Sequence, residues 1–408
     1  MNEEIPKGYK HTEAGVIPED WEVATLENIA NVATGSTPPT TDASNYGDAY
    51  PFVSPIDMGK HKYVVNTEKK LSSKGFANSR RFPKGSVLFV SIGSTIGKCG
   101  IAPVELTTNQ QINVVIPSPG FSVDFLYYAL CTMAPRIKML AGEQAVPIVN
   151  KKQFSQTLIP FPPLAEQRAI AEVLVDVDGL LEPLDKLIAK KRAIKQAAMQ
   201  QLLTGKTRLP GFTGDWEVKG LGEVTECLDN LRVPLNEAQR SIMPGPYPYC
   251  GANGVISYID NYVIDDDVIL IAEDGGYFDE YSFRPIAYRM SGKIWVNNHA
   301  HILKALPGYN QNFIFYSLVH KNILPYLASG TRAKLNRSEM AKITLCYPKN
   351  QEEQRAIAEV LSDMDAEIEA LERRREKTQQ VKQGMMQQLL TGRIRLGKFH
   401  LQEERLAL

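Results

Sequence analysis

Two stretches of this chain carry apolar residues at alternating steps of four and three positions. In the first stretch they are Ile170, Leu174, Val177, Leu181, Leu184 and Ile188. In the second they are Ile357, Leu361, Met364, Ile368 and Leu371. This spacing keeps a narrow apolar stripe on one side of a helix and is typical of a coiled-coil seam. A single stripe is equally typical of a helix packed on an ordinary domain, but two matched stripes favour helices that pair with each other.

The two predicted helices are copies of one another. Both contain Glu-Gln-Arg-Ala-Ile-Ala-Glu-Val-Leu near the start and Gln-Gln-Leu-Leu-Thr-Gly at the end, always 187 positions apart (354 − 167 = 187). A long repeat without gaps is a stronger signal than any single motif. Gly205 and Gly392 suit the left-handed residue that ends a helix. At about 1.5 Å per residue, each helix would span roughly 57 Å.

Polar residues interrupt the apolar stripe at matching places in the two copies. They are Lys191 and Lys195 in the first and Thr378 and Lys382 in the second. We expect these positions to help fix the register of the pair. Pro183 is expected to kink the first helix, because proline removes a backbone donor.

The segments that precede the helices also repeat. Asp20-Trp-Glu-Val23 returns as Asp215-Trp-Glu-Val218. Apolar runs at 85–92 and 267–272, and again at 111–116 and 301–306, predict two pairs of equivalent strands. Residues 124–130 and 312–318 predict an equivalent helix. Each segment is therefore expected to be α/β or α+β, with the strand order left open.

The repeat also predicts how the chain is organised. We expect a first globular domain at 1–160, a long helix at 161–209, a second globular domain at 210–347, and a second long helix with a tail at 348–408. The residues that follow Gly392 match those after Gly205, whereas the partner of Asp215-Trp216 lies at the other end of the chain. The order is that of a ring of two repeats cut open once, so the two termini are expected to lie close together.

Composition and charge exclude several classes of protein. Lys and Arg total 46, as do Asp and Glu, so the net charge itself does not favour nucleic acid or membrane. The five cysteines lack any Cys-x-x-Cys spacing, which argues against a zinc site or a disulfide framework. The polar N-terminus does not resemble a signal peptide, and no apolar run reaches membrane-spanning length. A cytoplasmic protein is expected.

Gly93-Ser-Thr-Ile-Gly-Lys98 invites comparison with a nucleotide phosphate loop. It has one residue too few between its glycines, and Cys99 stands where a magnesium-binding hydroxyl belongs. We therefore reject ATP binding. Two interpretations stay open: a plain glycine turn, or a loop that lies against a DNA backbone.

Other motifs carry weaker signals for chemistry. Asp57, Glu68 and Lys70 have the residue types of a nuclease site, but such spacings arise easily by chance. His299 and His301 could face the same side of a strand toward a metal, yet no further histidine or cysteine is near in sequence, so no metal is expected. The chain lacks the Asn/Asp-Pro-Pro-aromatic signature of a methyltransferase and a glycine-rich cofactor loop, and no catalytic residue is predicted.

The ordered set of motifs resembles the specificity subunit of type I restriction-modification systems, over essentially the whole chain. Pro163-Leu-Ala-Glu-Gln-Arg-Ala-Ile170, Glu353-Gln-Arg-Ala-Ile357 and the two Gln-Gln-Leu-Leu-Thr-Gly ends carry the resemblance, with the paired tryptophan segments, residues 93–98 and Tyr249-Cys-Gly-Ala-Asn-Gly254. It implies two target-recognition domains separated by two long antiparallel coiled-coil helices, related by a pseudo-two-fold internal repeat. Each domain would read half of a split DNA sequence. The helices would set the gap.

The resemblance also implies partners. Adenine methyltransferase subunits, two in number, would dock on the paired helices. The residues assigned to these partner and spacer helices are Ile170, Leu174, Leu181, Leu184, Ile357, Leu361, Ile368 and Leu371. A restriction and translocase subunit would join for cleavage. S-adenosylmethionine, ATP and magnesium would belong to those partners, and none of them to this chain.

Candidate DNA contacts follow from the preferences of side chains for base edges, Asn and Gln for adenine and Arg and Lys for guanine or phosphate. In the first domain they are Arg80, Arg81, Ser94, Thr95, Lys98, Asn109, Gln110, Lys151 and Lys152. In the second they are Asn253, Asn297, Asn298, His299, Arg332, Lys334 and Arg337. Two alternatives remain beside a recognition subunit: a stand-alone endonuclease using Asp57, Glu68 and Lys70, and a coiled-coil scaffold without a DNA role.

Overall fold

The computed structural model describes residues 5–59, 61–142, 145–328 and 333–396. The chain divides into two compact units, one formed by residues 1–184 and 374–408 and the other by residues 185–373. Each unit holds one globular domain and one part of each long helix. The sequence-based boundaries, which set the helices apart as separate segments, remain a prediction.

The first domain is built from two four-stranded sheets and short helices. Its strands are β1 (Tyr9–Thr12), β2 (Gly15–Pro18), β3 (Glu22–Thr25), β4 (Ala30–Thr34), β5 (Tyr46–Val53), β6 (Lys69–Leu71), β7 (Arg81–Phe82), β8 (Val87–Val90), β9 (Cys99–Ile101), β10 (Leu106–Thr108), β11 (Ile112–Pro117) and β12 (Leu158–Phe161). Its helices are α1 (Leu26–Ile29), α2 (Ser73–Ala77), α3 (Val123–Met139) and α4 (Lys151–Ser155). The sheets have the orders β4-β11-β8-β9 and β6-β5-β10-β7, and β12 pairs with β3.

The first long helix, α5 (Leu164–Leu202), follows and leads to the second domain. The strands of that domain are β13 (Trp216–Gly220), β14 (Thr225–Cys227), β15 (Pro244–Gly251), β16 (Gly254–Ile259), β17 (Ile264–Asp265), β18 (Val268–Ala272), β19 (Ala287–Met290), β20 (Lys293–Val296), β21 (Ala300–Ala305) and β22 (Thr344–Pro348). Its helices are α6 (Leu221–Val224), α7 (Glu237–Ser241), α8 (Gln311–Leu318) and α9 (Arg337–Ala341), and the chain then enters α10 (Gln351–Leu389).

The two domains share one topology. The second domain has sheets of order β14-β21-β18-β19 and β16-β15-β20-β17, with β13 paired to β22. Each member of these sheets occupies the place of its counterpart in the first domain, and the pairs β5–β10 and β15–β20 are both parallel. The predicted internal repeat and mixed α/β class are confirmed. The strand order could not be read from the sequence, because it depends on contacts between distant segments.

The buried runs at 85–92 and 267–272 become the middle strands β8 and β18. Val87 and Phe89 face the core beneath α3, whereas Leu88 and Val90 face the core of the other sheet. A strand covered on both faces needs apolar residues at every position, which explains why these runs show no polar alternation. Residues Val268–Ala272 are likewise buried throughout.

Parts of the two long helices pack together antiparallel in each unit. In the first unit, Ile170 and Leu174 of α5 share a core with Leu389 and Leu390 of α10, while Asp178 pairs with Lys382 at 2.5 Å. The partner number falls as the α5 number rises, which defines the antiparallel sense. The seam residues Ile170, Leu174, Leu181, Leu184, Ile188, Ile357, Leu361 and Ile368 are buried. Helix α5 runs through Pro183 without ending.

A tyrosine, an aspartate and a lysine connect each domain to its helix pair. The two sets are Tyr128, Asp178 and Lys382 in the first unit and Tyr316, Asp365 and Lys195 in the second. The tyrosine hydroxyl donates to the aspartate, at 2.6 Å in the first set and 2.7 Å in the second. The lysine pairs with the same carboxylate and lies over the tyrosine ring. The lysines that interrupt the apolar seam therefore have specific partners, which favours one register.

The repeated Glu-Gln motif closes each unit. Glu353 accepts two hydrogen bonds from Arg208, at 2.5 and 2.6 Å, and Glu166 accepts two from Arg395. The next residue, Gln167 or Gln354, accepts a hydrogen bond from a backbone N–H at the start of α3 or α8. The motif that carried the internal repeat therefore anchors the helix starts to the domains.

The opposite ends of the described chain meet in the first unit. Tyr9 donates to the carbonyl of Gly392 at 2.9 Å, and Arg395 forms two bonds of 2.8 Å to Asp20. The expected closeness of the two ends is thus confirmed for residues 9–20 and 392–395. Residues 1–4 and 397–408 lie outside the described chain. Across the described ranges, no helix has the length and apolar character needed to cross a membrane.

Candidate nucleic-acid interface

Three segments meet at one edge of each domain. In the first domain they are the glycine loop (residues 91–98), the asparagine turn (109–111) and the return segment (145–149). The N–H of Ser91 donates to Gln111 at 2.8 Å, and that of Val149 donates to Ser91 at 2.9 Å. In the second domain the glycine loop (273–277), asparagine turn (297–299) and described return segment (333–335) are joined in the same way, from Glu273 to His299 at 2.9 Å and from Leu335 to Glu273 at 2.7 Å.

The first asparagine of each turn has a structural role. The side-chain oxygen of Asn109 accepts the N–H of Gln111 at 3.1 Å, and that of Asn297 accepts the N–H of His299 at 2.8 Å. Asparagine commonly closes such turns by bonding to the backbone two residues on. Asn109 and Asn297 were predicted to read bases. Their side chains have a role in the turns that needs no DNA. The residues between them, Gln110 and Asn298, are exposed and remain predicted contacts.

The glycine loop of the first domain is a turn between two strands. It connects β8 to β9, whereas a nucleotide phosphate loop leads into a helix. Gly93 and Gly97 have φ of 93° and 100°, values that suit glycine alone. Ser94 is exposed, Thr95 is half-buried, and the Lys98 ammonium donates to the carbonyl of Pro55 at 3.2 Å. The glycine-turn interpretation is supported, and a DNA contact by its hydroxyls remains a prediction.

Cationic candidates of the first domain occupy two places. Arg80 lies beside the asparagine turn: its backbone N–H donates to Ser36 and its guanidinium to the carbonyl of Thr34. Arg81 is exposed and lies near the Phe76 ring, at 5.9 Å. Lys151 and Lys152 are exposed in the first turn of α4, directly after the return segment.

In the second domain, most candidate side chains already have protein partners. Asn253 donates to the carbonyl of Gly275 at 2.9 Å, and His299 contacts Asp274 at 2.7 Å. Lys334 pairs with Glu273 at 2.8 Å. Arg337 is exposed at the start of α9, and Arg332 lies outside the described residues.

Beneath this edge, each domain has a buried polar ladder across three neighbouring segments. In the first domain, Thr34 donates to Asn113, and Asn113 donates to Ser91, both at 2.8 Å. The equivalent places in the second domain hold Asp229, His301 and Glu273. His301 bonds to Asp229 at 2.6 Å and to the carbonyl of Leu335 at 2.7 Å. One repeat thus has a neutral ladder where the other has a charged one.

The charges of the second ladder are balanced within the domain. Arg232 bonds to Glu273 and lies 3.3 Å from Asp229. Burial opposes a charged His301 ring, but its hydrogen bonds to Asp229, Cys227 and the Leu335 carbonyl, together with the charge of Asp229, raise the pKa of His301 to about 9. Burial also opposes the charged form of Asp229, yet His301 holds the pKa of that carboxyl below its ordinary value. The ring is therefore an imidazolium at neutral pH.

The charged ladder predicts that the two domains respond differently to pH. A protonated His301 stabilises the second domain fully below its ordinary pKa of 6.5, and this contribution is lost as pH rises through about 9. The loss is expected to be about 3 kcal/mol. Hydrogen exchange of β21, compared with β11 in the same molecule and corrected for intrinsic rates, measures the difference. Equal changes in both strands between pH 6.5 and 9 would contradict the prediction.

Cys227, Asp229 and His301 also have the residue types of a metal site. Their donor atoms lie within 4.8 Å of one another, and theirs is the single group of this kind among the described residues. Both ring nitrogens of His301 face oxygen acceptors, and Arg232 faces both nearby carboxylates. This geometry favours the protonated network over a metal ion. His299 contacts Asp274 instead, so the two histidines singled out in the sequence serve different contacts.

Two stretches of the chain, residues 18–190 and 213–383, match the family model described as type I restriction modification DNA specificity domain. The chain belongs to this family. Each match covers one globular domain and most of the long helix that follows it, as the internal repeat requires.

Several curated proteins are similar to this chain in sequence. The MjaIX specificity subunit of Methanocaldococcus jannaschii is 29% identical over 56% of this chain, and the MjaVIII specificity subunit of that organism is 26% identical over 93% of it. The match spans 57% of the MjaIX subunit but 94% of the MjaVIII subunit. All are named as type I restriction enzyme specificity subunits.

Solved structures show the same fold. The type I restriction-modification S subunit from M. genitalium has a TM-score of 0.63 and 18% identity, covering 90% of this chain and 96% of that one. A chain from a study of complex assembly and conformational transition of the type I system has a TM-score of 0.52 and 17% identity, covering 93% and 99%.

The contacts of Asp57 argue against the endonuclease alternative. One of its carboxylate oxygens accepts the N–H of Glu68 at 2.7 Å, and the other accepts the N–H and hydroxyl of Ser54 at 2.8 and 2.9 Å. Both oxygens hold a loop together. Glu68 and Lys70 line a shallow, open depression with Asp48 and Lys69. The endonuclease alternative therefore loses its central carboxylate.

Proposed function

We propose that this chain is a non-catalytic DNA sequence-specificity subunit of a type I restriction-modification complex. Each globular domain reads one half of a bipartite target, and the paired helices set the gap between the halves. The observation that carries the proposal is the exact correspondence of two domains, each presenting a polar edge and each anchored to its helices by the same tyrosine, aspartate, lysine, glutamate and arginine contacts. Two similar modules joined by paired helices suit a target of two half-sites.

The partners of the proposal are double-stranded DNA, two adenine methyltransferase subunits docked on the helices, and restriction subunits. S-adenosylmethionine, ATP and magnesium act in those partners, in the cytoplasm. Arg168 and Arg355, at equivalent positions of the repeated motif, are exposed, and Arg355 lies 3.5 Å from Glu352. They are candidates for contacts with the methyltransferase.

A genome-wide map of methylated adenine tests the proposal. Cells would express this chain with its methyltransferase subunit, and control cells the methyltransferase alone. The expected result is a new split motif with a fixed gap that is absent from the control. A stable complex of the two proteins without new methylation would favour the scaffold alternative.

The lysines after the first return segment are expected to contact phosphates. Replacing Lys151 and Lys152 together with alanine should lower the slope of log binding constant against log salt by about two, with the target sequence unchanged. Lys84→Ala is the control, because Lys84 is exposed at the opposite end of β8. Binding titrations at several salt concentrations give the slopes. An unchanged slope would remove these lysines from the interface.

A further inference from the structure

An isoleucine projects from the polar edge of each domain. Ile56 is 63% exposed and Ile256 is 54% exposed. Both lie beside the end of the strand that supports the asparagine turn, because Val53 of β5 accepts the N–H of Asn109 and Cys250 of β15 accepts that of Asn297, each at 3.0 Å. Each side chain therefore lies near the asparagine turn of its own domain, Ile56 in the turn that follows β5 and Ile256 in strand β16.

The turn that presents Ile56 is rigid. It is a single 3-10 turn, Pro55–Asp57, in which Pro55 fixes the backbone and the Asp57 carboxylate bonds to Ser54. Lys98 of the glycine loop donates to the carbonyl of Pro55 at 3.2 Å. Contacts of the turn, rather than packing of its own side chain, therefore hold Ile56 in its exposed position.

Ile256 is held by a different set of contacts. Its Cδ1 lies against Gly251, where an added Cβ would come within 2.5 Å of it and within 3.2 Å of the Asn297 amide. The Tyr288 hydroxyl donates to the carbonyl of Gly251 at 2.5 Å and braces the same turn. The isoleucine is thus fixed next to the asparagine turn of its domain.

Each isoleucine is an apolar tip among polar neighbours. Gln110 and Asn298 are the exposed amides of the two turns, and Ser94 and Asn253 lie on adjacent loops. In the major groove, amides match adenine edges, and the methyl group of thymine is the apolar mark. We propose that Ile56 and Ile256 contact thymine methyl groups, one in each half-site, and so determine specificity for A·T pairs there. This inference rests on the proposed function.

The test removes the methyl group from the DNA and the side chain from the protein. Once the methylation map has defined the target, each thymine is replaced in turn by deoxyuridine, and binding of the full chain with its methyltransferase is measured. Ile56→Ala and Ile256→Ala are compared with Val104→Ala and Ile242→Ala. Those controls are 50% and 79% exposed, and they lie before the starts of β10 and β15, at the opposite ends of the strands.

We expect deoxyuridine at one position of each half-site to weaken wild-type binding about fourfold, the effect of about 0.8 kcal/mol for one buried methyl group. Ile56→Ala should abolish this discrimination in one half-site only and Ile256→Ala in the other, while both controls retain it. Equal binding of thymine and deoxyuridine by the wild type, or discrimination kept in both variants, overturns the proposal.

Weaker binding of the variants without methyl dependence would assign the isoleucines to insertion between base steps instead. Absence of any split motif in the methylation map would reject the proposed function itself.

Discussion

Asp229→Ala is expected to destabilise the second domain by about 3–5 kcal/mol, because it leaves the buried His301 imidazolium without its hydrogen-bonded carboxylate. Asp229 bonds to His301 at 2.6 Å and lies 3.3 Å from Arg232, and its other oxygen accepts the N–H of Ile302 at 3.0 Å. Hydrogen exchange of β21 or denaturant unfolding of the second domain measures the loss.

The first domain provides the matched control for this change. Thr34 occupies the place of Asp229 and bonds to Asn113 as Asp229 bonds to His301. Thr34→Ala removes a neutral hydrogen bond and should cost only about 1 kcal/mol. If Thr34→Ala lowered the free energy of unfolding as much as Asp229→Ala, charge would not explain the effect of Asp229→Ala.

Exchanging the whole ladder separates charge from shape. The triple replacement Asp229→Thr, His301→Asn and Glu273→Ser installs the neutral set of the first domain. Removing both partners of a buried pair costs far less than removing one. Arg232 and Lys334 are 19% and 47% exposed in their side chains, so both cations keep contact with water. The triple variant is expected to be more stable than Asp229→Ala and to lose the pH dependence above pH 6.5. A triple variant no more stable than the single one would refute this explanation.

Glu353→Ala is expected to have an effect of similar size, about 3–5 kcal/mol, at the other end of the second unit. The Glu353 side chain is fully buried, and both of its oxygens accept hydrogen bonds from Arg208, whose guanidinium lies 5.7 Å from the Trp216 ring. Its removal takes two hydrogen bonds from the guanidinium, which keeps one to the Gly214 carbonyl, and loosens the start of α10. Denaturant unfolding, followed by near-ultraviolet circular dichroism, measures the loss.

The repeat again supplies the comparison. Glu166→Ala should cost less than Glu353→Ala, because Glu166 is 12% exposed and its partner Arg395 keeps two bonds to Asp20. Glu353→Gln, which retains an acceptor for Arg208, should recover part of the loss. Equal costs for Glu166→Ala and Glu353→Ala would mean that the second acid, Asp20, does not compensate.

Much of the fold was predictable because it depends on local patterns. The alternating steps of four and three required two amphipathic helices, and the constant offset of 187 positions (354 − 167 = 187) required two equivalent units. The strands β8, β11, β18 and β21 and the helices α3 and α8 lie where the apolar runs indicated. These elements form from neighbouring residues, so their positions can be read along the chain.

The chemistry of the two buried ladders was decided by the tertiary structure alone. Asp229 and His301 are 72 positions apart, and no local pattern shows that they pair or that Thr34 and Asn113 replace them in the first domain. Asn109 and Asn297 had the residue type of base readers, yet their side chains close turns, since an amide serves either purpose equally well. Sequence determines which elements form and that they form twice. Whether a polar side chain faces its own backbone, a buried partner or the surface depends on segments that only folding brings together.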